Sequence, residues 1–234
     1  MTMLPFRLMV DALPAQVLFT VRGQLTAKDI EGGRTAHNMV AGSDQAVAAA
    51  RSFSDLSHAV YVPIDPPKSG AGELLIIDYW NNPAGIGQFF SDPQVQQGGA
   101  MVYRDRESVI WESAPGLPHF NLPAPAGRTE RYVGLARGMV KSRESAGKIL
   151  SEALRKGVNI SRAKGLMSRE WYFRMAAPGE KPSLEAIGVD VWFDAEGMQQ
   201  VYADPNEMNH LDGLFSAPPA LSVWQKPKGH WVEW

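Results

Sequence analysis

The residue types best suited to chemistry in this chain are a histidine and an aspartate, His58 in "DLSHAVYVP" and Asp78 in "ELLIIDYW". Imidazole is the side chain whose ordinary titration falls near neutral pH, and an adjacent carboxylate fixes its tautomer and raises its basicity. The runs Asp55 to Pro63 and Glu73 to Asn81 are rich in β-branched and aromatic residues. They flank a loop marked by Asp-Pro-Pro and Ser-Gly-Ala-Gly, which reads as a hairpin. With its centre near Lys68, residues whose numbers sum to 136 lie opposite each other, and 58 and 78 do. The pair is then a cross-strand neighbour pair, with Cβ atoms about 5 Å apart. A slip of two residues would set His58 against Ile76 or Trp80, and a slip of one would send it to the other face. His58 as general base and Asp78 as its orienting carboxylate are the expected catalytic residues.

The elements that must position this pair are repeated along the chain. "DYWNNPAGIGQFFSDP" (Asp78 to Pro93) and "DVWFDAEGMQQVYADP" (Asp190 to Pro205) share six of sixteen residues without a gap. "VRGQLT" from Val21 matches "ARGMVK" from Ala136, and Trp111 matches Trp224. Repetition on this scale means two copies of one unit rather than a solenoid. At an offset of 112 the counterparts of His58 and Asp78 are Glu170 and Asp190. Strand alternation then sorts two faces. Leu75, Ile77 and Tyr79, with Ile187, Val189 and Val191, are expected under helices. By elimination Leu74, Ile76, Asp78 and Trp80, with Asp190 and Trp192, face the inside. Glu170, Tyr172 and Arg174 share the face assigned to His58, and Arg22 and Arg137 of the matched Arg-Gly complete an interior polar cluster. Buried charge is costly unless paired, so that cluster is either a salt-bridged core or a ligand cavity. Trp80 and Trp192 are either core or the wall of an aromatic pocket.

Each copy gives the same order of signals: a strand, a polar alanine-rich helical segment, the hairpin, a helix opened by Pro83 and closed or kinked at Ser91-Asp92-Pro93, and a last strand ending at Trp111. This is β-α-β-β-α-β, a ferredoxin-like unit in the α+β class. One such unit leaves a sheet face bare, and two copies can cover each other. The expected organisation is a first repeat over residues 14–112, a Pro/Gly-rich linker over 113–130 and a second repeat over 131–232.

The pattern Asp-x-Trp, a short helix ending in Phe/Tyr-x-Asp-Pro, and a strand ending in Val-x-Trp resembles the dimeric α+β barrel superfamily, in which antibiotic-biosynthesis-monooxygenase-like, EthD-like and stress-responsive barrels are found. The resemblance implies an intrachain barrel made by two fused units, a small molecule as ligand, and activity of the cofactor-independent oxygenase or isomerase kind. It leaves two alternatives: a non-catalytic ligand-binding or stress-responsive barrel, and a haem-binding tandem barrel of the chlorite dismutase type with His210, in "NHLD", as ligand.

Composition narrows the classes. With 44% hydrophobic and 21% charged residues and a net charge of -2, the chain reads as globular rather than polyanion-binding, so no nucleic-acid partner is expected. The absence of cysteine removes thiolate metal sites, cysteine nucleophiles and disulfides. The first sixteen residues, with Asp11 and two prolines, do not read as a signal peptide, and no apolar run nears the ~20 residues of a membrane span. The expectation is a cytoplasmic monomer that completes its own barrel, with further homodimerisation open, no cofactor and no membrane partner. "PAGIGQ" lacks the third glycine of a dinucleotide loop. Between Arg128 and Arg174 twelve Lys/Arg face four Glu, an excess that reads as a solvated helix face able to draw in an anion.

Overall fold

The computed structural model describes residues 17–65, 72–113, 117, 119–122, 126–127 and 129–234. The expected hairpin centre at Lys68, the extreme N-terminus and much of the linker lie outside these residues.

The first half runs β1 (Val17–Leu25), α1 (Ile30–Ala41), α2 (Asp44–Ser52), β2 (Asp55–Pro63), β3 (Glu73–Trp80), α3 (Pro83–Ser91), α4 (Pro93–Val102) and β4 (Tyr103–Glu112). After the two-residue β5 (Phe120–Asn121), the second half repeats the order with one long helix in place of α1 and α2: β6 (Tyr132–Met139), α5 (Arg143–Ala163), β7 (Leu166–Arg174), β8 (Glu185–Trp192), α6 (Ala195–Ala203), α7 (Pro205–Met208) and β9 (Ala220–Gln225). Local chemistry sets the helix starts. Asp29, Ser43, Asn82, Ser142 and Asp194 each accept a bond from a first-turn backbone N–H. The repeated Asp-Pro is a restart rather than a stop. Asp92 and Asp204 cap α4 and α7, with Pro93 and Pro205 just inside the first turn.

Each half orders its strands alike, β4-β1-β3-β2 and β9-β6-β8-β7, with antiparallel pairing throughout. The halves join at both edges. β2 pairs β9 through Val62 and Gln225, and β4 pairs β7 through Trp111 and Arg174. The sheet therefore closes into a barrel within one chain.

The core assigns the two strand faces, and it reverses the expected assignment. Leu18, Tyr61, Leu75, Ile77, Val109 and Trp111 form one buried cluster with Val133, Leu135, Tyr172, Ile187, Val189 and Trp224. Residues of both halves meet there, so this is the barrel interior, and Leu75, Ile77 and Ile187, expected under helices, line it. Leu74, Ile76 and Trp80 instead pack with Ile86 and Val102 of the helices. Asp78 and His58 share that outer, helix-covered face. Trp192 likewise packs with Met198 and Val201 of α6.

The second correction is one of register. A β-bulge lies between Asp55 and Ser57 in β2, and another between Leu166 and Ser168 in β7. Asp55 and Leu166 pair the equivalent Trp80 and Trp192, so this strand repeats at an offset of 111, not 112. The partner of Asp190 is then Arg169, while Glu170 pairs Val189 and points into the barrel.

Candidate active site

His58 and Asp78 are direct cross-strand partners, and His58 Nδ1 lies 2.9 Å from Asp78 Oδ1. The helix layer adds what strand reading missed. His37 of α1 sets its Nε2 3.0 Å from His58 Nε2, with the ring planes 13° apart. Its Nδ1 lies 3.1 Å from Asn38 Oδ1. Gly33 and His37, four residues apart, form the buried stripe of α1, a helical spacing that points His37 at the sheet. The segment Lys226–Trp234 closes the site from the other side. His58 and Trp234 exchange backbone hydrogen bonds, the Trp234 ring stacks on His58 at 4.5 Å, and Trp231 lies 5.3 Å from His37.

Asp55 completes the group. Its oxygens accept from Ser57 N at 3.3 Å and from Trp234 Nε1 at 3.2 Å. Simple alternation places Asp55 opposite to His58, but the bulge at Leu56 brings both to the helix side. His37, Asp55, His58 and Asp78 are 2%, 5%, 6% and 4% exposed. All four line a cavity of about 410 Å³, within the range usual for small-molecule sites. Phe89, Phe90, Trp80, Tyr103 and Arg106 supply much of the remaining wall. Among the described residues, Trp80 Nε1 and the Tyr103 hydroxyl are buried with no hydrogen-bond partner, which is costly unless something else satisfies them.

The bonding fixes the resting protons. Asn38 Nδ2 donates to His230 O and Asn38 Oδ1 accepts from Val232 N, so that amide cannot turn over. Oδ1 is an acceptor only, hence His37 carries its proton on Nδ1. Burial, then the neighbouring His58, lowers the His37 pKa to about 4, so the ring is neutral and its Nε2 accepts. The donor is then His58 Nε2–H. Burial opposes charge on His58, but the Asp78 carboxylate outweighs it and the pKa rises. Burial also raises the Asp78 pKa, against the pull of His58. A proton is shared between Nδ1 and Oδ1, and Nε2 presents a second one. At rest His58 is a donor rather than the free base expected from the sequence. Asp55 is pushed up to about 7 by burial and by the nearby Asp78, partly offset by His58.

The remaining expected site residues are dispersed. In the second half Arg169 clamps Asp190 through two bonds of 2.8 and 2.7 Å, and Tyr202 adds a third at 3.1 Å. Glu170 lies inside the barrel, accepting from Tyr79 and Tyr172 at 2.7 and 2.5 Å. Arg22, Arg137 and Arg174 pair with Glu73, Glu107 and Glu185, and the first two stack over Trp224 and Trp111. The expected single interior cluster is thus divided among ion-paired arginines, a Glu170 held by two tyrosine hydroxyls and one separate cavity. Trp192 is core, its Nε1 bonded to Tyr202 at 3.3 Å.

His210 lines a second cavity, of about 230 Å³, with Gly157, Arg169 and Asp190. Trp171 lies across the sheet face there, 2.7 Å from where a Cβ on Gly188 would stand. The space is below the ~300 Å³ that drug-sized ligands need, and haem is larger still, so these residues as folded do not fit it. Among the described residues, no group of three or more His, Asp or Glu is arranged to hold a metal ion, and no helix is long and apolar enough to cross a membrane.

No protein-family model matches the sequence, and no curated protein matches it either. Among solved structures, the chain is similar to an anthrone oxidase-like protein, at 10% identity over 91% of each chain with a TM-score of 0.60. It is similar to a candidate monooxygenase from Lactobacillus acidophilus NCFM, at 11% identity over 91% and 95% of the two chains with a TM-score of 0.57. A variant of chlorite dismutase from Candidatus Nitrospira defluvii follows, at 11% identity over 91% and 92% with a TM-score of 0.54. The chain has the dimeric α+β barrel fold, formed here from two ferredoxin-like units.

Proposed function

We propose that this protein is a small-molecule enzyme that works by proton transfer in the helix-side cavity of its first half, in the manner of a cofactor-independent oxygenase. The observation that carries the reading is the buried Asp78–His58–His37 chain on the wall of a cavity of about 410 Å³. The largely aromatic and aliphatic wall suits a flat, weakly acidic aromatic molecule bearing an oxygen. That oxygen takes over the His58 Nε2–H bond from His37, and the unpaired Trp80 Nε1 and Tyr103 hydroxyl are further donors for ligand oxygens. Such donors stabilise the oxyanion that develops as a carbon α to a carbonyl loses its proton, each worth roughly 10²–10³ in rate. The resulting carbanion is electron-rich enough to reduce dioxygen. A CH₂ group and O₂ become C=O and water, with all four electrons given up by the substrate carbon and accepted by dioxygen. An isomerase would use the same first step and return the proton to a different carbon. The anthrone oxidase-like neighbour supports anthrones as the first compounds to try.

The test is dithranol, a 1,8-dihydroxyanthrone, in air-saturated buffer, followed by oxygen uptake and quinone absorbance. The expected outcome is oxidation well above the buffer rate, with His58→Gln slowing it by ~100-fold while the melting temperature changes little. Binding without oxygen uptake would favour the second reading, a ligand-binding barrel, which the unpaired donors also support. No binding across a panel of anthrones and hydroxyaryl ketones would overturn both.

A further inference from the structure

His58 and His37 have no idle nitrogen: each ring makes two hydrogen bonds, and Asp78 spends its charge on His58. A proton-transfer enzyme built on this cavity still needs an acceptor that meets its substrate. Asp55 is placed for it. It lines the same cavity, and both its bonds come from neutral N–H groups. It makes no ion pair among the described residues. Lone pairs on both oxygens remain open.

We infer that Asp55 is the catalytic base of this site, the group that takes the proton from the bound substrate while the His58 chain supplies the donor for the oxyanion. The inference rests on the functional reading above. The step is a single proton transfer: the substrate C–H bond breaks, its electron pair delocalises onto the carbonyl oxygen, and the proton forms O–H on Asp55. The carboxylic acid later returns the proton to reduced oxygen.

Two further observations agree. The second half carries Leu166 at the equivalent bulge position and Arg169 where the first has His58. That half keeps the aspartate, ion-paired, and lacks both base and imidazole, so Asp55 is not needed to make the bulge or the fold. The groups facing Asp55 also suit a base working near neutrality. Asp78 and burial push its affinity for protons up, and His58 pulls it down. His37 from α1 is neutral. Asp92 and Arg106 also line the cavity, and Glu233, next in sequence to the closing Trp234, accepts from Val60 N and Lys226 Nζ.

The experiment measures dithranol oxidation between pH 5.5 and 9 in the intact chain and in Asp55→Asn, Asp55→Leu and His58→Gln. Asp55→Leu guards against misfolding, since the second half already folds with leucine there. The expected result is a wild-type rate that climbs with a midpoint near pH 7. Both Asp55 variants should lose that limb and roughly 100-fold in kcat, with dithranol affinity by tryptophan quenching within a few-fold. His58→Gln should lower the rate but keep the limb. Carbonyl ¹³C NMR of aspartate-labelled protein should show one carboxyl titrating near pH 7, absent from Asp55→Asn. Full activity in both Asp55 variants would overturn the role while leaving the functional reading intact, as would loss of the limb in His58→Gln alone. A wild-type chain that neither binds nor oxidises dithranol or any other member of the anthrone and hydroxyaryl ketone panel would sink the role together with that reading, whatever Asp55 titrates at.

Discussion

A buried carboxylate with a folded pKa near 7 works against the native state whenever it is charged. Asp55 is raised from 3.8 to about 7. The native state therefore binds its proton more tightly than the unfolded chain does. The penalty is absent below pH 3.8, grows between there and 7, and is complete above. At about 1.4 kcal/mol per unit it reaches about 4 kcal/mol. Asp55→Leu should thus stabilise the protein more at pH 8 than at pH 5, read as the shift in urea midpoint. An equal shift at both values would mean that the carboxyl is not perturbed. His37 acts with the opposite sign. Its pKa falls from 6.5 to about 4, so its contribution is whole above pH 6.5 and about 3 kcal/mol is lost as pH falls through 4. Counted from the helix caps, Leu150 of α5 holds the equivalent buried position. His37→Leu should therefore flatten the fall in stability between pH 6.5 and 4, and an unchanged slope would show that other groups govern acid unfolding.

At the scale of elements, what could be read from the sequence depended on whether a rule is local. The His58–Asp78 pair followed from the symmetry of one hairpin, and helix restarts at Asp-Pro follow from capping chemistry. The face of the pair did not. Both sides of β3 are buried, one by helices and one by the other half of the barrel, so alternation separates Leu75 from Leu74 without saying which cover each receives. Asp55 was hidden by the Leu56 bulge, which breaks period two. His37 was hidden because its partner is chosen by helix docking. The repeated Gly85 and Gly197 have a reason that only packing reveals. A Cβ on either would stand 1.9 Å from the carbonyl oxygen of Phe53 or Lys164, where the helix crosses the turn before β2 or β7. Gly85→Ala should cost about 1–3 kcal/mol by forcing helix and turn apart. Gly87 of the same helix has nothing within 4 Å of that position among the described residues, so Gly87→Ala should gain about 0.5–1 kcal/mol. Chemical denaturation of both variants measures the contrast. Equal effects would mean that helix propensity, not the close approach, governs α3.

For the whole molecule, the deciding feature is that the halves share a core. Leu18, Tyr61, Leu75, Ile77, Val109 and Trp111 are buried by residues of the other half. At roughly 2 kcal/mol for each side chain, losing that cover would cost about 12 kcal/mol. That equals the entire stability of a typical domain, about 5–15 kcal/mol. Closure at both edges, β2 with β9 through Val62–Gln225 and Pro63–Trp224 and β4 with β7 through Trp111–Arg174 and Glu112–Phe173, also ties up one end of each of these four strands against pairing with a second chain. The intact chain should therefore be monomeric at micromolar concentration and unfold in one transition. A fragment of residues 14–112 should not persist as a folded monomer: its bare sheet face must pair with a second copy or aggregate. Light scattering on both, with thermal unfolding of the intact chain followed by tryptophan fluorescence and far-ultraviolet circular dichroism, tests this. A soluble, folded, monomeric fragment, or two separate transitions in the intact chain, would show that each half carries its own stability and that the barrel interior is a docking surface rather than a common core.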